Sequence, residues 1–394
     1  MRRFAFVAGA AVLAVPFHAS AQPQTEAPIA LSVGGYFMGY FAGKSEQDGP
    51  GQPGADTRNI AIFRKSRIEF AGIGQLAGGS RVGVRIQLRG EAAQGDQIDR
   101  SYIFADTPVG RLELGKQRGP AFQMHVAAPN PFDAQGLGFG QDYADFFALS
   151  QPGGNLVTAI GGHLTYIDTF KYEKIAYYTP RVAGLQIGIS FAPQSCSVGA
   201  PTGTNTCGIT TAFNPDNLVG EQKNGLGAGA NYTINVGGVE ATLSAGWYGS
   251  TLEVNNPTGS FTDRRSWNLG AQIGYAGLTL GGGYMTDNSG IRAGLAFSPL
   301  PTRQQHWNVG MAYTWSRWRI GAAYYHSAVE ARDDTGARLG QDRYAGLSLG
   351  ASYALGPGIS INGGVEAGRW RSYSGVPENQ NRGVAYLVGT ILSF

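Results

Sequence analysis

Cysteine is scarce in this sequence: Cys196 and Cys207 are the two in 394 residues. A disulfide-dense scaffold and a four-cysteine zinc site are both excluded. Histidine is scarce as well, and His125, His163, His306 and His326 form no H-E-x-x-H pair, so no metal site is expected. Charged residues make up 14%, and the 30 basic residues nearly balance the 27 acidic ones. Nucleic-acid binding needs clustered excess base, so no nucleic-acid partner is expected. Past residue 21 there is no run of about 18 apolar residues, and mean hydropathy is −0.15, which excludes helical membrane spans.

What is abundant points elsewhere. Glycine, 61 residues, is spread without a period, so collagen does not fit, and 42% hydrophobic with 11% aromatic residues is too much apolar surface for a disordered chain. Arg2 and Arg3, the apolar stretch Phe4 to Phe17 and the small site Ala19-Ser20-Ala21 have the order of a secretory signal peptide over residues 1–21. Residues 22–394 then form a single exported domain with a net charge of about +1 once two arginines leave the +3 of the whole chain. In that compartment Cys196 and Cys207 are either a loop disulfide or two free loop thiols, and both readings are structural.

From Leu31 to the last residue, apolar residues recur with period two. In 81–89, Val82, Val84, Ile86 and Leu88 share one face, and Arg81, Gly83, Arg85, Gln87 and Arg89 the other. The polar faces are mostly Gly, Ser, Thr, Asn and Gln, which suit a confined wet interior, while the apolar faces carry Trp and Tyr as a lipid-facing surface does. A sheet in lipid must close to pair its backbone groups. The reading is an all-β, transmembrane antiparallel barrel.

Short turns at 76–80, 107–110, 179–184, 236–238, 276–277, 316–317 and 356–358 alternate with longer polar segments at about 43–59, 91–98, 119–162, 193–222, 250–264, 286–305, 329–342 and 373–382. Seven short and eight long connections join sixteen strands, the even number and asymmetry of a bacterial outer-membrane barrel. Sixteen strands enclose an aqueous channel.

Several segments then resemble the Gram-negative general porin family. They are Ser66-Arg-Ile-Glu-Phe-Ala-Gly72 followed by 80–88, Gly110-Arg-Leu-Glu-Leu-Gly-Lys-Gln117 opening a long third loop, Ile175-Ala-Tyr-Tyr-Thr-Pro180, and the terminal Phe394. The resemblance covers the mature chain. It implies a homotrimer in the outer membrane, in contact with lipid and lipopolysaccharide, with the third loop folded into the lumen and small hydrophilic solutes and ions diffusing through. The last aromatic is similar to the family's assembly signal. The family's Pro-Glu-Phe-Gly-Gly-type motif is absent from the third loop.

Parity places Lys65, Arg67 and Glu69 inward, opposite Ile68 and Phe70, with Arg85 and Arg89 inward on the next strand, Arg111 and Glu113 on the fifth and Lys174 on the sixth. Arg100 is ambiguous, because it shares parity with Tyr102 and Phe104, which read as outward. The segment 119–162 is long enough to be functional and carries Asp133, Asp142 and Asp145. An acidic loop facing a basic wall makes a transverse field across a charged constriction. Otherwise these charges sit at the rim or pair within the wall, and the loop acids are merely solvated. Gly346-Leu-Ser-Leu-Gly350 matches a nucleophile-elbow pattern but lies in an alternating strand, so no enzyme and no cofactor are expected. The six tryptophans read mainly as girdle anchors. The alternatives to a channel are a non-conducting adhesin or receptor and, further off, a barrel hydrolase.

Overall fold

The computed structural model describes residues 29–52, 57–90, 97–131, 165–167, 171–195, 216–293, 300–376 and 379–394. The expected leader 1–21 lies outside them, as do Cys196, Cys207, Asp133, Asp142 and Asp145. Sixteen strands run in chain order: β1 Ala30–Glu46, β2 Ile60–Gln75, β3 Arg81–Arg89, β4 Ile98–Thr107, β5 Gly110–Lys116, β6 Glu173–Tyr178, β7 Leu185–Gln194 and β8 Gln222–Val236. The second half is β9 Val239–Leu252, β10 Arg264–Tyr275, β11 Leu278–Asp287, β12 Leu300–Trp315, β13 Trp318–Arg332, β14 Arg338–Gly356, β15 Ile359–Arg371 and β16 Gln380–Ser393. Each pairs antiparallel with its sequence neighbours, and β1 closes on β16 through Phe37 opposite Leu392. Among the described strands each has a neighbour on both sides, which is the condition for a sheet in lipid.

Alternation decides which way each strand faces. In β10, Trp267, Leu269, Ile273 and Tyr275 are exposed on the outside, while Ser266 and Asn268 are buried inside. Two-residue turns close one end. Gly237 and Gly238 (φ 60° and 82°) turn β8 into β9, and Ala276 and Gly277 (φ 47° and 86°) turn β10 into β11. Two successive left-handed residues make the turn whose twist matches the strands, and glycine adopts that conformation without cost. Longer connections gather at the other end, the extracellular one in this class of barrel.

Trp247, Trp267, Trp307, Trp315 and Trp318 are exposed on the outer face, as girdle anchors should be. Trp370 departs from that expectation, for it is only 2% exposed and lies inside. There it joins Met38, Tyr40, Tyr344, Leu387 and Ile391 in one cluster, so the inner face of β1 and β14–β16 is partly apolar rather than uniformly small and polar. The third long connection also differs from its expected end at 162, since β6 begins only at Glu173. Thr165 and Ile167 lie outside any strand and are buried, Ile167 in one cluster with Ala121, Tyr248 and Met285.

Candidate functional site

The inner face of β2–β6 carries the charge. Arg67, Arg85, Arg89, Arg111 and Lys174 all lie on the inward parity, opposite exposed Ile68, Val84, Leu112, Leu114 and Ile175, and Lys65 shares the parity of Arg67. Adjacent strands bring acids beside them. Arg85 Nη1 is 2.8 Å from Glu69 Oε1, and Arg111 reaches Asp106 at 2.8 Å and Glu113 at 2.6 Å. The centre of the upper cluster is Asp99, fully buried, to which Arg67 (3.1 Å), Arg89 (2.8 Å) and Lys171 all converge.

Asp99 was not among the residues that parity selects, and a bulge is the reason. Gln87 pairs with Arg100 but Leu88 pairs with Ile98, which leaves Asp99 as the extra residue of β4. The bulge turns its carboxylate inward although it shares parity with lipid-facing Ile103. A carboxylate on an apolar parity was the sequence signal for it. Below the bulge, Ile103 is exposed while Phe104 is buried, so Tyr102 and Phe104 face inward, not outward as expected. The Arg111 and Arg85 guanidiniums lie 4.2 Å and 5.9 Å from the Phe104 ring centre. The ring covers Gly83, where a Cβ would come within 2.6 Å of it. Arg100 is thereby inward too, donating to Gln87 Oε1 at 3.1 Å.

Two lysines hold the root of the third connection. Lys174 is buried and donates to the carbonyls of Gln117 and Tyr172, one at each end of that connection, rather than projecting into the lumen. Lys171 ties the returning limb to Asp99. Burial lowers its ammonium to about 8, against the opposing pull of Asp99.

The facing wall, β8–β13, is built differently. The single helical turn α1, Pro120–Gln123, and the chain after it lie along this wall. Asn268 donates to Ala121 O (3.1 Å), Gln272 to Ala127 O (2.7 Å), Asn231 to Met124 O (3.3 Å) and Arg319 to Asn130 O (2.9 Å), while Asn308 accepts from Ala128 N (3.0 Å). Between them several inward positions are glycine. A Cβ on Gly246 would sit 2.9 Å from Ala121 Cα, one on Gly321 2.7 Å from Pro131 Cα, and one on Gly270 would overlap the Val126 carbonyl oxygen. His125 joins both limbs, with Nε2 2.9 Å from Thr165 Oγ1 and Nδ1 3.3 Å from Ser244 Oγ. Burial lowers this imidazole to about 4.

Gly346–Gly350 lies within continuous strand β14, not at the strand-to-helix turn an elbow needs, and Ser348 Oγ donates to Glu366 Oε2 at 3.1 Å. Among the described residues no group of His, Cys, Asp and Glu could hold a metal ion.

A closed sixteen-stranded barrel, apolar and aromatic outside and polar and charged within, is the architecture of an outer-membrane channel. Residues 8–370 match the Gram-negative porin family, and the chain belongs to it, a multi-pass barrel of the outer membrane. The fold is similar to that of the anion-selective porin from Comamonas acidovorans, with TM-score 0.60, 15% identity, and coverage of 93% of this chain and 100% of that one. It is also similar to the trimer form of OmpT from Vibrio cholerae, with TM-score 0.54 at 12% identity and the same 93% and 100% coverage. An uncharacterized protein of Rickettsia prowazekii is 22% identical over 355 residues, 75% of this chain and 76% of its own length.

Proposed function

We propose that this porin is a passive, non-enzymatic diffusion channel for small hydrophilic solutes and ions, assembled as a homotrimer. Its passage narrows between the basic wall of β2–β6 and the strap that begins at α1. The observation that carries the reading is the charge of that wall. Lys65, Arg67, Arg81, Arg85, Arg89, Arg100, Arg111 and Lys171 face inward there or stand at the loop root, against Glu69, Asp99, Asp106 and Glu113. A net positive wall in a narrow passage raises the local concentration of anions and slows apolar solutes, which have to give up ordered water. A modest anion preference follows, the property for which the Comamonas porin is named. Asp133, Asp142 and Asp145 of the same loop are proposed to face this wall and temper that preference.

Reconstitution in planar bilayers tests the reading. Open, near-ohmic channels are expected, with a zero-current potential in a KCl gradient on the anion side. Folded, heat-modifiable protein that gives no current would overturn it.

A further inference from the structure

The inward arginines of β2–β5 are not alike in what they hold. Arg67, Arg81, Arg85, Arg89 and Arg111 each lie within 3.1 Å of a carboxylate oxygen of Glu69, Asp99, Asp106 or Glu113. Arg100 differs. Its Nε donates to Gln87 Oε1 at 3.1 Å, and among the described residues no acid takes the two Nη groups of its fork.

The next inward residue of β4 is Tyr102, about 6.7 Å further along the strand. It is half-buried, and its hydroxyl takes no hydrogen bond among the described residues. The register sets Tyr102 between Arg85 on β3 and Gly115 on β5. Arg85 is drawn to Glu69 at 2.8 Å. Gly115 has no side chain to cover the ring, and even a Cβ there would come within 2.9 Å of Tyr102 Cα. Beyond Gly115 on β6 stands Lys174, which is turned to the carbonyls of Gln117 and Tyr172. The flank of the tyrosine ring toward β5 is therefore open, and an unoccupied guanidinium fork stands one step above it.

A guanidinium fork grips a carboxylate through two parallel hydrogen bonds, a geometry that a spherical anion such as chloride cannot match. An aromatic ring gains further from an offset or edge contact with a second ring. We infer that Arg100 and Tyr102 form a binding station for aromatic carboxylates, with the carboxylate in the Arg100 fork and the ring against Tyr102. The inference rests on the reading of β2–β6 as the wall of a diffusion channel, and it adds a preferred solute class to that wall. The paired arginines set the field that draws anions in, and Arg100 with Tyr102 selects among them by shape.

The test uses the folded mature protein in detergent, with saturation-transfer NMR reading ligand binding, so that the result does not depend on conduction. Benzoate, cyclohexanecarboxylate and benzamide are the probes: acid with aromatic ring, acid without it, and ring without acid, each net of the signal from empty micelles. Wild type should bind benzoate about tenfold more tightly than benzamide and about threefold more tightly than cyclohexanecarboxylate. Arg100→Gln should weaken benzoate binding by about tenfold. Tyr102→Leu should bring benzoate down to the level of cyclohexanecarboxylate. Arg343→Gln, on the exposed outer face of β14, should leave the order and the affinities unchanged. Heat-modifiable mobility would show that the variants are folded. If Arg100→Gln does not fold, Arg100→Lys, which keeps the charge without the fork, carries the same measurement with about a threefold loss expected. In planar bilayers a lack of any current would remove the channel reading, while the binding measurement would still decide the station. Undiminished benzoate binding by the folded Arg100 variant, or wild type binding benzamide or cyclohexanecarboxylate as tightly as benzoate, would each overturn the assignment.

Discussion

The wall of β2–β6 and the wall of β8–β13 share one strand geometry and one lipid environment, yet their inward residues are opposites. One is crowded with guanidiniums and carboxylates, and the other is bare enough for a second layer of backbone to lie on it. Ion pairs run sideways from strand to strand on the first wall, so long side chains lie along it. Side-chain amides reach backbone groups of the strap on the second, and glycine removes the Cβ that would hold the strap off. The difference teaches that one side of the barrel interior is shaped by subtraction and the other by charge.

The largest effect should come from inverting the charged wall. Arg67→Glu/Arg85→Glu/Arg89→Glu leaves buried Asp99 with Lys171 as its remaining cation partner, a loss on the order of 3–5 kcal/mol for a broken buried pair. The zero-current potential should move to cation preference, and the shift should shrink as the Debye length falls from about 8 Å to about 3 Å at 1 M salt. A potential that stays put would mean that these residues do not line the passage.

Breaking the bare wall comes next. Gly270→Val would drive a side chain into the Val126 carbonyl. Overpacking of this kind costs about 1–3 kcal/mol, and it is relieved here by lifting the strap. Single-channel records should change from one conductance level to a broad, noisy distribution. Gly274→Ala on the same strand, where a Cβ has room (nearest atom 3.7 Å), should keep the single level.

Much of this comparison could be read from the sequence, and the failures have physical causes. Strand number and turn positions were legible because period-two alternation and turns such as Gly237-Gly238 are local signals. The inward arginines were legible for the same reason. Asp99 was not, because a single bulge shifts parity without changing composition. Tyr102 and Phe104 misled because an aromatic residue next to lipid-facing Ile103 suggests lipid, whereas Phe104 serves as a platform for Arg111. Trp370 misled likewise. The glycines of β8–β13 were visible, but a glycine that makes room for a strap distant in sequence, as Gly246 does for Ala121 and Gly270 for Val126, leaves no local mark.

Acid should loosen the strap as well, reversibly and without a change of sequence. His125 is held at about 4 by burial, against 6.5 for the free group, so the docked strap favours the neutral ring. Lifting is therefore favoured as pH falls below 6.5, by about 2 kcal/mol at pH 5 and no further once pH passes below the docked value. Current noise should rise reversibly between pH 6.5 and 4. His125→Gln, which keeps hydrogen-bonding capacity without titrating, should remove the pH dependence, and persistence of the acid response in that variant would exclude His125 as its source.

The smallest effect sharpens the charge of the basic wall at one atom. Burial brings the Lys171 ammonium from 10.5 down to about 8, so its charge is lost as pH rises through that value while the arginines stay protonated. Asp99 then keeps Arg67 and Arg89 as partners, and the wall loses one positive charge. Anion preference should consequently decline between pH 7 and 9, by a few millivolts of zero-current potential on the order expected when one charge among several is removed from a screened passage. Lys171→Met should start at the lower preference and show no step. A step of equal size in Lys171→Met would place the titrating group elsewhere, and a wild-type potential flat across that range would mean that the Lys171 charge is not felt in the passage.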